Sequence, residues 1–286
     1  MISSKTSLIG LIGNPVTHSL SPIMQNAAIN HLKLDFVYLA LPCEIKNFAA
    51  VLNALKKVNF KGLNITIPFK EKAFELCNYM TPIAEKTKAI NTLKLDNRGE
   101  WFGTNTDVEG FIYPLRKFSL RSKKSTILGS GGAARSAIQG LIDLGLSEIN
   151  VISRNENSLR KIILDFENQF KIKGLLANNS SITKTIGNSN LVVNTTPVGM
   201  NAQKLDQQNI PFGENFWKLL HKETIIYDLI YNPKETPLMQ LCAKKGCSTI
   251  DGSEMLVAQG AKSLAFWTNE LKIPIDVMRN SLKQYL

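Results

Sequence analysis

The chain has 286 residues, a length that suits about two domains. Its residues are 44% hydrophobic and 20% charged, a composition that excludes a disordered or fibrous protein. Its net charge of +11 would suit nucleic acid, but the lysines are scattered and form no dense basic run with interleaved aromatic residues, so we expect no nucleic-acid partner. No apolar run is long enough to cross a bilayer, and the N-terminus lacks the apolar segment of a signal peptide, so we expect a cytoplasmic protein without a membrane partner.

The first part of the chain alternates short apolar runs with amphipathic segments. The first run ends in a Gly-Asn-Pro loop, and Ser21 followed by Pro22 predicts a capped helix start. Predicted strands cover 7–12, 36–41, 62–67, 89–95 and 100–102, and predicted helices begin near 21 and cover about 48–55, 72–77 and 108–118. Because strands that alternate with helices usually form a parallel sheet, we predict a mostly parallel α/β domain.

The same alternation continues after a polar segment at residues 121–124, which we interpret as a linker. A long helix is predicted at about 253–267, and an amphipathic helix follows Pro274. The other predicted elements are strands ending at 128 and covering 149–152, 191–194, 224–229 and 247–250, with a helix at about 159–166. This pattern predicts a second α/β domain of the doubly wound, Rossmann type.

Residues 126–135 read T-I-L-G-S-G-G-A-A-R and predict a dinucleotide-binding turn between a strand and a helix. In this Gly-x-Gly-x-x-Ala spacing, Gly129 permits the tight turn, Gly131 lets the backbone approach a pyrophosphate, and Ala134 allows close packing of helix and strand. The helix start offers unpaired N–H groups and a positive dipole end to phosphates. The spacing alone is weak, because glycine clusters are common where strands turn into helices.

The nature of the dinucleotide follows from the residues about 20 positions beyond Ala134, where NAD-binding folds place a carboxylate on the ribose. This sequence has Ser153-Arg154-Asn155 there. A guanidinium can pair with a 2′-phosphate, whereas a carboxylate would repel it, so the pattern favours NADP over NAD. The same missing carboxylate disfavours a methyltransferase that uses S-adenosylmethionine. The alternative is that Arg154 is an ordinary surface arginine.

A dehydrogenase also needs a proton donor near the carbonyl that accepts the hydride. Lys70 and Asp107 each follow a predicted strand of the first domain, where parallel sheets place their ligands. Taken alone, Lys70 could be a solvated lysine, and Asn105 to Asp107 could cap the next helix. The spacing leaves open whether the two loops meet.

Seven motifs, taken in order, resemble those of the shikimate dehydrogenase family. They are G-N-P-V-T-H-S-L-S-P, N-I-T-I-P-F-K, A-I-N-T, G-T-N-T-D-V-E-G, G-S-G-G-A-A-R, N-T-T-P-V-G-M and M-L-V-A-Q-G-A. The resemblance extends from about residue 8 to residue 268, nearly the whole chain. It implies reversible reduction of 3-dehydroshikimate to shikimate with NADPH, a step of aromatic amino acid biosynthesis.

The resemblance also implies a role for each matching residue and a cleft between two domains. Residues 1–107, completed by helices within 253–286, would bind the substrate, and residues 108–252 would bind NADP. Lys70 would be the catalytic lysine and Asp107 its partner carboxylate. The substrate-binding positions would be Ser19, Ser21, Asn64, Thr66, Asn91, Tyr231 and Gln259. The cofactor-binding positions would be Gly129, Ser130, Gly131, Gly132, Ala133, Ser153, Arg154, Asn155, Thr195, Gly252 and Met255.

The sequence departs from the family pattern at two positions. Gln25 stands where histidine is common, and we expect little functional effect because it lies on the helix behind the loop. Ser158 stands where a second arginine often binds NADP, and neither Arg160 nor Lys161 is in register with it. We therefore expect a weaker preference for NADP than is usual in the family.

Several alternatives stay open at this point. A quinate/shikimate dehydrogenase that uses NAD is disfavoured by Arg154 but not by Ser158, and a non-catalytic shikimate-binding regulatory module would be expected to lack Lys70 or Asp107. No metal site is expected, because the cysteine pair Cys242 and Cys247 has no nearby histidine; we interpret the four dispersed cysteines as reduced, mostly buried thiols. A monomer and a homodimer are equally compatible with the sequence.

Overall fold

The structure, a computed structural model, describes residues 2–58, 60–178, 180–200 and 207–286. The chain forms two compact units, one of Met1–Gly110 with Leu256–Tyr285 and one of Phe111–Met255 with Leu286. Each division lies three residues beyond the predicted boundary and falls inside a helix. Residues 121–124 lie within the second unit, so they are not the linker that the sequence analysis predicts.

The first unit contains a six-stranded sheet in the order β2-β1-β3-β5-β6-β4. The strands are β1 Ser7–Gly13, β2 Phe36–Pro42, β3 Gly62–Ile65, β4 Tyr79–Met80, β5 Thr92–Leu95 and β6 Trp101–Thr104. β5 runs antiparallel to both of its neighbours, and the other three pairings are parallel. The sheet is therefore mostly parallel, and the exception is β5, which is joined to β6 by the turn at residues 96–99.

The helices of the first unit connect and cover these strands. They are α1 Ser21–His31, α2 Phe48–Lys57, α3 Lys70–Leu76, α4 Pro82–Thr87, the first part of α5 Asp107–Ile112, most of α10 Ser253–Thr268, and α11 Ile275–Leu282. α5 is shorter than the predicted helix 108–118, because a short 3-10 turn, Tyr113–Leu115, follows it at Pro114, which lacks the N–H that a helix interior needs.

Tight packing fixes α10 against the sheet of the first unit. A Cβ added at Gly62 would lie 2.3 Å from the indole of Trp267, so the ring can pack against β3 only because residue 62 has no side chain. The Trp267 Nε1–H donates to the carbonyl of Leu93 at 2.8 Å, which satisfies the buried polar end of the ring. These contacts determine which residues of α10 face the carboxyl ends of the strands.

The second unit is built on a six-stranded, fully parallel sheet in the order β12-β11-β10-β7-β8-β9. The strands are β7 Lys124–Leu128, β8 Glu148–Ser153, β9 Ile172–Leu176, β10 Leu191–Asn194, β11 Ile225–Asp228 and β12 Ser248–Ile250, with helices α6 Gly132–Asp143, α7 Glu156–Phe166, α8 Ile182–Gly187 and α9 Pro237–Lys244. The strand order reverses between β7 and β10, the point at which doubly wound sheets bind ligands. The predicted Rossmann-type fold is confirmed.

Apolar side chains form a continuous core on the sheet of the second unit. The rings of Phe111 and Tyr227 stack with centroids 5.3 Å apart, and Met255 packs into the same cluster. Close helix packing requires Gly140, because an added Cβ would lie 2.6 Å from the Phe111 ring. No helix in the part of the chain that the structure describes is long and apolar enough to cross a membrane.

Candidate active site

Lys70 and Asp107 form an ion pair in the first unit. The Lys70 Nζ lies 2.6 Å from Asp107 Oδ2, and the two side chains are only 14% and 8% exposed. Lys70 begins α3 and Asp107 begins α5, so the two loops whose meeting the sequence left open do meet. With little water around it, this pair is screened less than an ion pair on the surface.

Neighbouring hydrogen bonds hold both members of the pair in place. The carbonyl of Lys70 accepts from the backbone N–H of Ile90 at 2.9 Å, which joins the start of α3 to the segment before β5. Asn105 Oδ1 accepts from the backbone N–H of Asp107 at 3.1 Å, and Asn105 Nδ2 donates to the carbonyl of Ala89 at 2.9 Å. The ammonium and the carboxylate are therefore presented by backbone that is tied to one sheet.

Asn64 and Asn91 lie beside this pair in a buried polar network. Asn91 Nδ2 donates to Thr106 Oγ1 at 2.9 Å, and the Thr106 backbone N–H donates to Asn91 Oδ1 at 2.7 Å. Asn64 Oδ1 accepts from the hydroxyl of Tyr38 at 2.8 Å, while its Nδ2 donates to Thr92 Oγ1 at 3.0 Å. The two amides thus fix the ends of the strands and the residue just before Asp107.

The remaining predicted substrate residues of the first unit lie on two loops and one helix. The loop before α1 carries Ser19, whose Oγ accepts from the backbone N–H of Ser21 at 3.3 Å, and the loop after β3 carries half-buried Thr66. The backbone N–H of Asn14 donates to the carbonyl of Ile67 at 2.9 Å, so these loops touch. Gln259 lies on α10, where its Nε2 donates to the carbonyl of Leu256 at 2.8 Å.

One local expectation for this region is wrong. Ser21 is the first residue of α1 and not its cap, because Leu20 occupies the cap position and no side chain caps the helix. Pro22 stands in the first turn as predicted, where its missing N–H costs no helical hydrogen bond. Ser21 is buried, and its hydroxyl is not used to cap the helix.

Gln25 has a larger structural role than the sequence analysis assigns to it. Its side chain is fully buried, and its Nε2 donates to the carbonyl of Gly260 at 2.9 Å. This bond ties α1, which follows the serine loop, to α10, which carries Gln259.

Sequence reasoning missed two hydroxyl residues of the network, Thr92 and Ser263. Thr92 Oγ1 lies 2.9 Å from Ser263 Oγ, and both side chains are fully buried. Two signals could have found them: Thr92 directly follows Asn91, and Ser263 lies four residues after Gln259, hence on the same helix face.

In the second unit, Gly129 and Gly131 are glycines for different reasons. Gly129 has φ of +106°, and an added Cβ would lie 2.6 Å from Thr195 Oγ1, so the fold itself excludes a side chain. Gly131 is exposed, with φ of −91° and ψ of −167°, which any residue adopts. Among the described residues, no atom outside its immediate chain neighbours lies within 4 Å of a Cβ built there. Packing thus accounts for Gly129 but not for Gly131.

The start of α6 is suited to a phosphate group. The helix has 12 residues and no acidic side chain in its first turn, so its positive end is not already neutralised from within. Gly132 and Ala133 are half-buried at this end, and fully buried Ala134 faces the core. An open space over Gly131 and a helix start without acidic residues together fit a pyrophosphate.

The end of β8 carries the predicted 2′-phosphate residues. Ser130 Oγ lies 2.8 Å from Ser153 Oγ and 2.7 Å from Ser158 Oγ, so three hydroxyls tie the glycine turn to the start of α7. Asn155 caps α7 by accepting from the Ser158 backbone N–H at 2.9 Å. Arg154, between these anchored residues, is exposed and carries a positive charge at the strand end. These residues fit NADP.

Arg160, which is out of register with the expected second arginine, is paired within its own helix. Its Nη2 donates to Glu156 Oε1 at 2.6 Å within α7, and both side chains are mostly exposed. Ser158 is used within the hydroxyl cluster. Arg154, exposed at the end of β8, therefore remains the predicted ligand of the 2′-phosphate.

The other predicted cofactor positions take part in hydrogen bonds and packing within the second unit. Thr195 Oγ1 donates to the carbonyl of Leu128 at 2.7 Å, and a Cβ added at Gly252 would lie 2.1 Å from the carbonyl oxygen of Leu229. Met255 is buried in the core. Tyr231 is half-buried just after β11 and belongs to this unit, unlike the other predicted substrate residues.

A buried carboxylate, Asp228, organises the carboxyl ends of β10 and β11. It accepts from Asn194 Nδ2 at 2.9 Å, from Thr236 Oγ1 at 2.7 Å and from the backbone N–H of Ile230 at 3.2 Å. Burial raises the pKa of Asp228 from its ordinary value of 3.8 to about 6, although these three hydrogen bonds oppose the shift.

The raised pKa predicts an unusual dependence of stability on pH. Because the folded state binds the Asp228 proton more tightly than the unfolded state, protonation of Asp228 increases the free energy of unfolding. This stabilising contribution is fully present below about pH 4 and is lost as pH rises through about 6. The full contribution is about 3 kcal/mol. Denaturant unfolding at several pH values should show the stability of wild type relative to Asp228→Asn falling across this window.

Asp96 provides a matched control, because its pKa is shifted in the opposite direction. The pKa of half-buried Asp96 is lowered, chiefly by a hydrogen bond from the backbone N–H of Glu100, so Asp96→Asn should give no loss of relative stability as pH rises. A difference between wild type and Asp228→Asn that stays constant from pH 4 to pH 7 would contradict the prediction.

In the described part of the chain, no group of three His, Cys, Asp or Glu side chains is arranged to hold a metal ion. All four cysteines are free and buried, as the sequence predicted.

Comparison with known proteins places these observations in one family. Residues 11–93 match the family described as the shikimate dehydrogenase substrate binding domain, and residues 252–283 match the shikimate 5′-dehydrogenase C-terminal domain. A protein of Prochlorococcus marinus (strain MIT 9215) named shikimate dehydrogenase (NADP(+)) is 60% identical over 286 residues, covering 100% of both chains.

Solved structures agree. The crystal structure of shikimate dehydrogenase from Aquifex aeolicus has a TM-score of 0.86 and 32% identity, covering 99% of this chain and 100% of that one. A Thermus thermophilus shikimate 5-dehydrogenase in complex with NADP(H) and shikimate has a TM-score of 0.83 and 28% identity, with 98% and 100% coverage. The chain belongs to the shikimate dehydrogenase family.

Proposed function

We propose that the chain catalyses the reversible, NADPH-dependent reduction of 3-dehydroshikimate to shikimate. The observation that carries the proposal is the poorly exposed Lys70–Asp107 ion pair at the strand ends of the first unit. The open space over Gly131 and the exposed Arg154 support NADP as the cofactor. A regulatory module without catalysis would have no need for this pair.

When bound, NADPH supplies a hydride to the carbonyl carbon of the substrate. The Lys70 ammonium then stabilises the negative charge that develops on the carbonyl oxygen and gives that oxygen a proton. Asp107 orients the ammonium through the 2.6 Å contact and can accept a hydrogen bond from a neighbouring substrate hydroxyl. In the reverse direction, Lys70 takes the proton back.

We infer that Ser19 and Ser21 bind the substrate carboxylate, together with Thr66 on the adjoining loop. Their hydroxyls can donate hydrogen bonds but carry no charge, so affinity would come from several bonds and not from one ion pair. The hydrogen bond between the two loops, from the backbone N–H of Asn14 to the carbonyl of Ile67, supports a shared role. Asn64, Asn91 and Gln259 complete the proposed substrate set in this unit.

The assay that tests the proposal follows NADP reduction with shikimate, then repeats it with NAD and with quinate. We expect turnover with shikimate and a higher kcat/KM for NADP than for NAD. A higher value with NAD and quinate would establish the NAD-dependent quinate/shikimate alternative. Absence of turnover with every pair, in folded protein, would refute the enzymatic proposal.

The choice between NADP and NAD is predicted to depend on Arg154. A charge-assisted hydrogen bond contributes about 1.5–3 kcal/mol, so Arg154→Ala should raise KM for NADP roughly tenfold to a hundredfold. KM for NAD should change little, because NAD lacks the 2′-phosphate. Arg160→Ala is the matched control, since Arg160 is an exposed arginine paired with Glu156 on the next helix. Equal effects of the two substitutions would argue for a general charge effect.

A further inference from the structure

Ser263 is a fully buried hydroxyl residue on the face of α10 that carries Gln259. Its Oγ donates to the carbonyl of Gln259 at 3.0 Å, a bond that helical serines often make to their own helix. Such a bond alone would give Ser263 no role outside α10.

The other contacts of Ser263 reach three separate segments of the first unit. Its Oγ lies 2.9 Å from Asn64 Nδ2 at the end of β3, 2.9 Å from Thr92 Oγ1 at the start of β5, and 3.1 Å from Thr106 Oγ1 after β6. Bonding within a helix requires none of these. One hydroxyl of α10 therefore lies within hydrogen-bonding distance of residues at the ends of three strands.

The number of protons in this cluster limits which group donates each hydrogen bond. A hydroxyl donates one hydrogen bond and accepts up to two, and an amide nitrogen only donates. Asn64 Nδ2 therefore donates to Ser263, and Ser263 donates to the Gln259 carbonyl. Thr106 accepts from Asn91 Nδ2, and its own proton can go to Asn91 Oδ1 at 3.2 Å or to Ser263 at 3.1 Å. Ser263 can accept at most two hydrogen bonds, so it accepts from Asn64 and from one of the two threonine hydroxyls, Thr92 or Thr106.

Thr106 connects this cluster to the proposed chemistry, because the next residue is Asp107. A shift of Thr106 moves the backbone that presents the Asp107 carboxylate to Lys70. Loss of the Ser263 hydroxyl would also affect Gln259, because the Gln259 carbonyl accepts a hydrogen bond from it.

We propose that Ser263 is a positioning residue that holds the Asp107 loop and Gln259 in register for the substrate. The inference rests on the proposed function, since it names a further residue of the same site. Ser263 touches no reacting group; it acts through Thr106 and through the helix that carries Gln259.

The test compares Ser263→Ala with a matched control, Ser281→Ala. Ser281 is also a helical serine of the first unit, and its Oγ donates to the carbonyl of Met278 in its own helix at 2.7 Å. In Ser263→Ala, kcat/KM for shikimate should fall roughly tenfold to a hundredfold, because small misplacements of reacting groups carry effects of that size. The Kd for NADP, measured by fluorescence titration without substrate, should stay at the wild-type value. Ser281→Ala should change neither quantity.

A double-mutant cycle separates positioning from a general loss of structure. If Ser263 acts through Thr106, then Ser263→Ala combined with Thr106→Val should lose little more activity than Thr106→Val alone. Ser281→Ala combined with Thr106→Val should show independent effects. If Ser263→Ala yields no soluble protein, Ser263→Cys, which fills a similar volume with a weak hydrogen-bonding group, is measured with the same expectations.

Wild-type kcat/KM in the soluble Ser263 variant would overturn the inference, and so would losses that multiply in the double variant. A parallel loss of NADP affinity would show a structural effect instead of positioning. Failure of wild type to turn over shikimate would refute the proposed function itself, so the two failures are distinguishable.

Discussion

Replacing Lys70 by alanine should lower kcat by about a hundredfold to ten-thousandfold, the range expected when a positioned proton donor is lost. The change in KM should be much smaller, because the ammonium interacts more strongly with the charge that develops during reaction than with the neutral carbonyl. Steady-state kinetics in both directions would measure the effect.

Lys72→Ala is the control for this experiment. Lys72 lies on the same helix two residues away, but its side chain is 55% exposed and pairs with Glu75 at 2.9 Å. Its removal should leave kcat and KM unchanged. Near-normal turnover in Lys70→Ala would mean that the ion pair with Asp107 is a structural feature and that the proton comes from another group.

The alternation of strands and helices was predictable where residues are strongly apolar, as in β1 and β10. It was not predictable for β9, where Lys173 and Gly174 interrupt the apolar run. A Cβ added at Gly174 would lie 2.4 Å from Ile163 Cδ1, so a side chain there would require Ile163 to shift. The short helix α4 was missed because six residues give too little periodicity to recognise.

The parts of the site that the sequence revealed are those encoded over short distances along the chain. The glycine turn and Arg154 follow from local spacing, and Lys70 and Asp107 from motifs that resemble a known family. The spacing from Gln259 places Ser263 on the same helix face, but its partners are not predictable in this way, because its bond to Asn64 spans 199 residues. Such a bond depends on how α10 packs on the sheet, which no local pattern specifies.

The exposed Arg154 at the end of β8 also bears on cofactor choice. Ser158 stands where the family resemblance leads us to expect a second arginine, and its hydroxyl closes a cluster with Ser130 and Ser153. The cluster holds the backbone around Arg154 but adds no positive charge. Preference for NADP would therefore rest on Arg154, which is why its removal is expected to change NADP and NAD kinetics so differently.

Gly131→Ala should weaken NADP binding without harming the fold. A methyl group there has room and an ordinary backbone conformation, so stability should stay unchanged or rise by about 0.4–1 kcal/mol. The same methyl group would stand where the backbone must approach a pyrophosphate, and displacing a bound group by about 1 Å can cost about a hundredfold in activity. The unfolding temperature of the free protein should therefore stay unchanged or rise, while the affinity for NADP falls, which is measured as a higher KM.

Gly129→Ala provides the contrast, because the same substitution two residues earlier meets a different constraint. Its φ of +106° and the Thr195 hydroxyl 2.6 Å from the added Cβ make alanine strained, and such backbone strain costs about 1–3 kcal/mol. That variant should lose stability even when no cofactor is present. A stable Gly131→Ala protein with unchanged KM for NADP would mean that the pyrophosphate does not lie over this turn, and the proposed cofactor site would have to be abandoned.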